Sequence, residues 1–449
     1  MRRLIQHRVA ILALLISFAS TAAYSAGFAL LEQSSSRLGT AFSGTAAAAD
    51  DATTLYFNPA GLMHLKGNNI AASLSGVSIN SEFSNSGSTS ALGQPLGNAG
   101  GDAGGMNYVP SAYWASKFTD RFGFGVGVNA PFGLKLEYDN SWLGRYQARR
   151  SEIKTLNINP AFAFRINEYV TLAVGADYQR LQAELSSAVN YTAVIASQVP
   201  AATAANLGLE GHTVVSGEDW GWGFNIGALF DITNDARIGV AYRSPITYDV
   251  TGIVIFTAPT ATNPTGAAII AAVSAPGAPL SNGAVQVSLK VPGSATVSYW
   301  QKVTPRVELL ADVAWTQWSS IEELRVLRSS GATLSVTPEN WRDTWRGAFG
   351  MAFAVNSGWK LRAGVAYDQT PVPDSTRTPR LPDADRTWIA LGAGWSPTEF
   401  TTVDFGYAHL FASDVSVNQN AGSTPAYGLI NGQQSNAIEI FTAQFAYRF

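Results

Sequence analysis

The feature that most constrains this chain is a strict alternation of apolar and polar residues in runs of about ten to fifteen positions. Between 359 and 368, for example, Trp359, Leu361 and Val365 fall on one side of an extended chain, and Lys360 and Arg362 fall on the other. Side chains of a β-strand point alternately to two faces, so the pattern predicts strands whose faces meet unlike surroundings. A soluble sandwich alternates too, and the pattern alone does not separate the two classes.

The composition decides what surrounds the strands. The 449 residues are 46% hydrophobic and only 14% charged, against roughly 25% charged in soluble domains. A helical membrane protein would need several apolar stretches of about 20 residues, and only the N-terminal two dozen residues come close to one. The 22 Phe, 16 Tyr and 12 Trp suit short membrane-crossing strands that end in aromatic rings at both interfaces. The sequence therefore predicts an all-β transmembrane barrel.

Connections of two lengths take turns along the chain. Tight turns rich in Asn, Asp, Gly and Pro are predicted at 119–120, 167–168, 233–235, 356–358 and 397–399, and the other connections are long. This arrangement is typical of outer-membrane barrels, with short periplasmic turns and long extracellular loops. The predicted strands number about fourteen: 68–80, 107–118, 121–131, 150–166, 169–187, 220–232, 236–250, 285–302, 305–318, 341–355, 359–370, 385–396, 400–413 and 436–449.

The N-terminus has the pattern of a secretory signal peptide. Three arginines within the first eight residues precede an apolar run over 9–19 and a small-residue site at 23–25. We predict a signal over 1–25, cleavage after Ser25 and a mature chain from Ala26. That chain carries 26 basic and 32 acidic residues, a balance that argues against nucleic acid as a partner.

Chemistry-bearing motifs are scarce. The absence of cysteine excludes disulfides and thiolate sites, and no metal or phosphate motif stands out. His409 lies on a late strand but has no partner that spacing identifies. We therefore expect no enzyme activity and no cofactor.

Residues 26–65 do not alternate and form a predicted unit separate from the barrel over 66–449. They contain Asp50-Asp51 and Asn58-Pro59-Ala60 among small residues, with enough leucine and phenylalanine to pack against another surface. A barrel of fourteen strands encloses a lumen that must be filled by water or by a plug. The segment is therefore predicted to lie inside the lumen.

Here the sequence resembles the FadL family of outer-membrane transporters for long-chain fatty acids and other hydrophobic compounds. The resemblance covers nearly the whole mature chain and is most specific before residue 65. Its motifs are 26–28, 34–36, Gly39, 43–44, 49–52 and 58–60, then 315–319, 367–368, 371–373, 382–383, 385–386 and Trp388. The resemblance implies a fourteen-stranded barrel with an N-terminal hatch, whose residues here include Asp50, Asp51, Asn58, Pro59 and Ala60.

The resemblance also implies that substrate leaves sideways through a gap in the third strand. That strand would be 121–131, where Gly123, Gly125, Gly127 and Pro131 suit a weakened strand, because glycine packs poorly and proline cannot donate a ladder hydrogen bond. The alternative is that the glycines merely thin the wall.

Two long connections, 188–219 and 251–284, are unusually apolar for extracellular segments, and the second contains Ile253, Ile255 and Phe256. Exposed apolar surface often marks a binding site, and the resemblance implies that these loops first capture the substrate. The alternative is that the two loops pack on each other as a cap.

An anionic head group needs a cation, and arginine binds carboxylates in a bidentate manner. Arg243 and Arg346 fall on the lumenal parity of their strands, and Arg325 lies where fatty-acid-binding relatives place a basic residue. Simple counting from Trp315 directs Arg325 toward lipid, so the strand must bulge or end before it. A second cation of the family has no clear match here, which leaves a neutral substrate open.

The sequence thus predicts a passive uptake protein of the outer membrane for hydrophobic molecules, most of all long-chain fatty acids. Uptake of aromatic hydrocarbons, a general porin and a surface adhesin are the alternatives. A final strand that alternates from Phe441 to Phe449 resembles the signal read by the barrel-insertion machinery. The expected partners are that machinery, outer-membrane lipid and lipopolysaccharide, and the chain is expected to be a monomer.

Overall fold

A computed structural model describes residues 27–420 and 426–449 of the chain. The predicted signal peptide and its cleavage site before Ala26 lie outside the described residues. Across those two ranges, twenty β-segments join into one antiparallel sheet of fourteen strands, and the sheet closes because the first strand pairs with the last. The predicted fold class and strand number are confirmed.

Eight of the strands in the described ranges are continuous and six are broken into two segments. The continuous ones are β1 (Asn68–Asn85), β2 (Gly105–Lys117), β5 (Arg150–Arg165), β6 (Val170–Asn190), β7 (Glu210–Thr233), β16 (Trp359–Asp368), β17 (Arg386–Trp395) and β20 (Leu429–Arg448). The broken ones are β3 (Phe122–Asn129) with β4 (Gly133–Glu137), β8 (Ala236–Arg243) with β9 (Ile246–Thr257), β10 (Gly283–Val291) with β11 (Ser294–Thr304), β12 (Val307–Thr316) with β13 (Glu323–Arg328), β14 (Thr333–Pro338) with β15 (Thr344–Ala354), and β18 (Thr401–Ala412) with β19 (Val415–Asn420).

The alternation behaves as a membrane wall requires. On β5, Leu156 and Phe162 point outward and are exposed, whereas Asn157 and Asn159 point into the lumen and are fully buried. The short turns lie where they were predicted. The strands extend further on the extracellular side than predicted, however, because β6 and β7 remain paired up to Asn190 and Glu210.

The predicted loop over 319–340 is wrong in one respect, because it contains the hairpin β13–β14. The strand after Trp315 does end before Arg325, as parity required: β12 stops at Thr316, and a 3-10 helix Trp318–Ser320 follows it.

The N-terminal segment, residues 27–65, lies inside the sheet. It forms the short helices Ser35–Leu38 and Thr54–Phe57 and the 3-10 helix Pro59–His64. Its polar groups bond to inward-facing side chains, as when the Thr45 hydroxyl donates to Asp312 over 2.6 Å. Close approach depends on a wall without side chains at Gly239, where a Cβ atom would come within 1.9 Å of the Ala46 carbonyl oxygen.

The two long apolar connections pack on each other. One carries the helix Tyr191–Gln198 and the other the helix Pro264–Ser274, and their apolar residues share a buried cluster that includes Ile195 and Ile270. Among the described residues, no helix combines the length and the hydropathy needed to cross a bilayer.

Candidate functional site

The wall of the barrel has a discontinuity at Pro131. β3 ends at Asn129 and β4 begins at Gly133. β2 pairs with β3 only through Ala112–Lys117, and no pairing joins β2 to β4 within the described ranges. Proline has no N–H to donate to a ladder, so the break falls where the sequence placed Pro131.

The glycines of the predicted gap lie outside this discontinuity. Gly123, Gly125 and Gly127 stay paired with β2 on one side and β5 on the other. Gly123 and Gly125 instead leave room for the N-terminal segment, because a Cβ atom on Gly123 would lie 3.2 Å from the Met63 sulfur and one on Gly125 would lie 2.7 Å from a methyl carbon of Leu55.

Residues 28–33 occupy the inner side of the discontinuity. Leu30 N donates to the Pro131 carbonyl over 2.8 Å, and Gly133 N donates to the Phe28 carbonyl over 2.9 Å. The buried side chain of Gln33 donates to the carbonyl of Ala130 over 2.7 Å. The N-terminal segment therefore supplies the backbone partners that β2 does not.

Four aromatic rings meet above this point. Phe28 packs edge-on against Trp318 with ring centroids 5.0 Å apart and lies 5.8 Å from Trp341 and 5.7 Å from Phe132. Trp318 of the motif over 315–319 thus packs against Phe28 of the motif over 26–28. Rings of this aromatic cluster line three cavities of the lumen.

The first cavity, called the apolar cavity, has about 950 Å³ of empty space in the extracellular half of the barrel. Its walls are almost entirely aliphatic: Leu181, Leu185, Val215, Val250, Val285, Val287, Leu289, Ile321, Leu324 and Val326, with Phe28 and Trp341 at the aromatic cluster. Such a lining suits an acyl or aromatic hydrocarbon ligand.

Two charged side chains line the apolar cavity, Glu339 and Arg380. Arg380 donates to the carbonyls of Arg150 and Ser186 over 3.2 and 3.4 Å, and no carboxylate of the described ranges lies within ion-pair distance of it. Burial lowers the pKa of Arg380 to about 10 and raises the pKa of Glu339 to about 7. The cavity thus holds a guanidinium whose charge is not neutralised by a contacting carboxylate.

The second cavity, called the gap cavity, has about 880 Å³ of empty space beside β1, β4 and residues 27–32. It shares Phe28, Leu134 and Leu381 with the apolar cavity, so displacement of these three side chains would join the two. Its polar groups are the carboxyls of Glu32, Asp368 and Asp383, the Asn436 amide and the guanidinium of Arg386.

The third cavity, called the mixed cavity, has about 1090 Å³ of empty space and contains the predicted cations Arg243 and Arg346. Both have internal partners: Arg243 pairs with Asp177, and Arg346 donates to the Ala41 carbonyl. Arg243 also lies over the ring of Tyr56 at 4.9 Å.

The remaining predicted binding residues lie away from these cavities. Arg325 is exposed and pairs with Glu323 over 2.5 Å. Ile253 and Ile255 belong to β9 and point outward because their neighbour Val254 points inward, and Phe256 packs at the edge of the Val254 cluster beside Arg328. Their sequence run is thus one strand and not a loop.

The residues predicted to form the hatch fall into two bonded groups. Asp50 pairs with Arg37, and Asp51 accepts from Gln444 of β20 over 2.9 Å. Asn58 donates to the carbonyls of Ala46 and Ala228 over 2.7 and 3.0 Å.

The next two residues continue from Asn58. Its side-chain oxygen accepts from the amide of the fully buried Ala60 over 3.0 Å. Pro59 starts the 3-10 helix and faces the mixed cavity. The Asn58-Pro59-Ala60 motif therefore joins two parts of the N-terminal segment to the wall.

Sequence reasoning missed Glu32, Glu339 and Arg380. All three lie in stretches without alternation, so parity gave no direction for their side chains. The only available signal was the motif pair at 371–373 and 382–383, which flanks Arg380.

Known proteins resemble this chain over most of its length. The family described as outer membrane protein transport protein (OMPP1/FadL/TodX) matches residues 16–449. The long-chain fatty acid transport protein of Escherichia coli K12 is 30% identical, with 91% of this chain and 93% of that protein covered. Outer membrane protein P1 of Haemophilus influenzae is 29% identical, with 89% of each covered.

Solved structures share the fold. A FadL homologue of Pseudomonas aeruginosa superposes with a TM-score of 0.85 at 24% identity, covering 94% of this chain and all of that one. The toluene transporter TodX of Pseudomonas putida superposes with a TM-score of 0.69 at 16% identity, covering 94% and 99%.

Proposed function

Because this chain belongs to the outer-membrane transport protein family OMPP1/FadL/TodX, we propose that it takes up long-chain fatty acids passively from outside the cell. The observation that carries the proposal is the apolar cavity with Arg380 in its wall. The aliphatic lining suits the acyl chain, and the guanidinium suits the carboxylate.

The proposed route continues from the apolar cavity into the gap cavity. Phe28, Leu134 and Leu381 stand between the two, and Phe28 belongs to the N-terminal segment that fills the discontinuity at Pro131. A movement of residues 28–33 would open the passage and the wall together. Substrate would then leave sideways into the membrane.

The N-terminal segment is proposed to act as the hatch that blocks the axial route. Asp51 and Asn58 bond it to β20 and to β7 on opposite sides of the barrel. Arg243 and Arg346 are proposed to line a lower part of the route, since both face the mixed cavity beneath the aromatic cluster.

The paired apolar connections are proposed to help capture substrate at the surface. Leu207, two residues before Leu209 of their shared cluster, is 58% exposed. An exposed apolar residue at the rim of a buried cluster offers a first contact for a greasy molecule.

The second candidate is uptake of neutral aromatic hydrocarbons, which the nearly unbroken aliphatic lining of the apolar cavity favours. The two candidates differ at Arg380, because a neutral hydrocarbon gains nothing from a guanidinium. The variant Arg380→Met keeps the length of the side chain and removes its charge.

We expect Arg380→Met to weaken oleate binding by about tenfold to a hundredfold, since a hydrogen bond to a charged group contributes roughly 1.5–3 kcal/mol. Toluene binding should change by less than twofold. Calorimetry on the detergent-solubilised barrel measures both, and Arg325→Met, which removes an exposed guanidinium, is the matched control. Unchanged oleate binding in Arg380→Met would contradict the assignment of the head-group site.

A further inference from the structure

The lining of the gap cavity contains more carboxyl groups than guanidinium groups, whereas the apolar cavity has one of each. Three carboxyl groups, those of Glu32, Asp368 and Asp383, line it together with the guanidinium of Arg386. Arg386 is already paired with Asp383. A carboxylate that passed from Arg380 into this cavity would therefore meet two further carboxyl groups and no available cation of its own.

Glu32 shows how unfavourable that meeting is. It is 5% exposed, and its Oε2 atom has no hydrogen-bond partner among the described residues. The charged groups that face it are Arg386 of β17, Asp368 of β16 and Arg346 of β15, while Ser75 of β1 reaches only its backbone carbonyl. Burial raises the pKa of Glu32 to about 7. An unpartnered buried carboxyl oxygen favours a hydrogen-bond donor and disfavours an anion.

We propose that the substrate enters as a carboxylate, accepts a proton from the Glu339 carboxyl group and crosses the gap cavity as the neutral acid. This inference rests on the proposed function. The proton on Glu339 moves to a substrate oxygen, and Glu339 is left as a carboxylate that regains a proton from external water. Each fatty acid released thus takes one proton from outside, and no other group changes its bonds.

The position of Glu339 fits this role. It lines the same cavity as Arg380 and accepts a hydrogen bond from the Trp341 indole over 2.9 Å. Trp341 in turn contacts Phe28, which separates the two cavities. The carboxyl group therefore lies beside the junction through which the substrate must pass.

Protonation of the substrate would lower the free-energy cost of its release into the membrane. Burial raises the pKa of Glu339 to about 7, so a sizeable fraction carries a proton near neutral pH. A charged group costs several kcal/mol inside a bilayer, whereas a neutral carboxyl group costs far less. Protonation also weakens the hold of Arg380, since a guanidinium binds a carboxylate more strongly than an acid.

Three ligands of equal chain length test the inference: oleic acid, oleyl alcohol and the matching octadecenyl sulfonate, which stays anionic. Release into the lipid of proteoliposomes containing the full chain is followed from pH 6 to pH 8. We expect the sulfonate to bind but to be released at least tenfold more slowly than oleic acid. Release of oleic acid should slow as pH rises through 7, and release of the alcohol should not.

The variant Glu339→Gln should lower the ratio of acid release to alcohol release about tenfold. Glu322→Gln is the matched control and should leave the ratio unchanged. Glu322 has an exposed side chain, and its backbone carbonyl accepts a hydrogen bond from the backbone N–H of Glu339. The sulfonate and pH series use the unaltered protein, so they hold even where a variant fails to assemble.

The outcomes separate two failures. Sulfonate release as fast as that of oleic acid, or an unchanged ratio in Glu339→Gln, would overturn the protonation step and leave fatty-acid uptake standing. Failure of the unaltered protein to release either the acid or the alcohol would overturn the proposed function itself.

Discussion

Two of the places where proline interrupts pairing in the described wall have different results. At Pro131 the strand β3–β4 breaks while its neighbour β5 runs on unbroken. At the second place Pro245 and Pro292 lie opposite each other in neighbouring strands, between the pairs Arg243–Ser294 and Ile246–Val291. The wall opens toward β2 at the first place, whereas at the second the two proline-bearing strands keep their register with each other and β9 pairs with β7 again from Thr251 onward.

Register explains part of the difference. From Asn129 to Gly133 the chain advances four residues while β5 advances three, so one extra residue is accommodated at Pro131. Across Pro245 and Pro292 both strands advance by three, and the register is kept.

The remaining difference lies in the second neighbour of each strand. β9 also gains one residue relative to β7, yet its pairing resumes between Glu218 and Thr251. β4 pairs with β5 alone among the strands, because residues 105–111 of β2 pair only with β1. A proline break therefore opens a barrel where the strand beyond it has no second neighbour to rejoin.

Deletion of Pro131 should have the largest effect on this comparison. Removing one residue brings β4 into the register of β3, so that residues 105–111 of β2 gain a partner strand. We expect release of oleic acid and of oleyl alcohol to fall at least tenfold, while the barrel remains folded by its mobility in unheated electrophoresis gels. Normal release from a folded deletion variant would exclude this discontinuity as the exit.

Gln33→Ala should have an intermediate effect. The change leaves the Ala130 carbonyl without its side-chain donor, and a lost hydrogen bond costs about 1 kcal/mol, or roughly a fivefold change in an equilibrium. Amide exchange of Phe132 and Gly133 should accelerate by about that factor. Exchange at Ile246 and Val291, beside the paired prolines, provides the internal control, and equal acceleration at both places would contradict a local role for Gln33.

Pro292→Ala should have the smallest effect. It restores one N–H opposite Pro245 in a register that is already kept, so we expect the free energy of unfolding to change by less than about 0.5 kcal/mol, as for most benign substitutions. Denaturant unfolding in micelles measures the change. A loss of uptake in this variant would show that the paired break also serves transport.

The contrast between periodic and irregular segments also limits what the sequence could predict. Alternation gave the strand number and the short turns, and it placed Arg243 and Arg346 in the lumen, because each strand face meets either lipid or protein. It failed at β13–β14, because there the polar side chains Glu323 and Arg325 are exposed while Leu324 and Val326 line the apolar cavity, so the apolar face of the strand points inward and not outward.

The cavities depended on segments that parity cannot orient. Glu32, Glu339 and Arg380 point inward because the chain around them folds back against Phe28 and Trp341. Such contacts join residues hundreds of positions apart, and a single sequence carries no periodic record of them. The motifs of the family resemblance lie near these residues in the sequence but do not indicate what the residues do.

The seam between β1 and β20 has a consequence for how the molecule is made. It pairs Asn69 with Arg448 and Asn85 with Gly432, positions roughly 350 to 380 residues apart, and ring closure over such distances is slow because its entropic cost precedes any gain from contacts. Until that seam forms, both outer strands present unpaired backbone groups that invite aggregation. Two distant edges therefore stay exposed together during assembly, and the single step that closes the ring satisfies both of them.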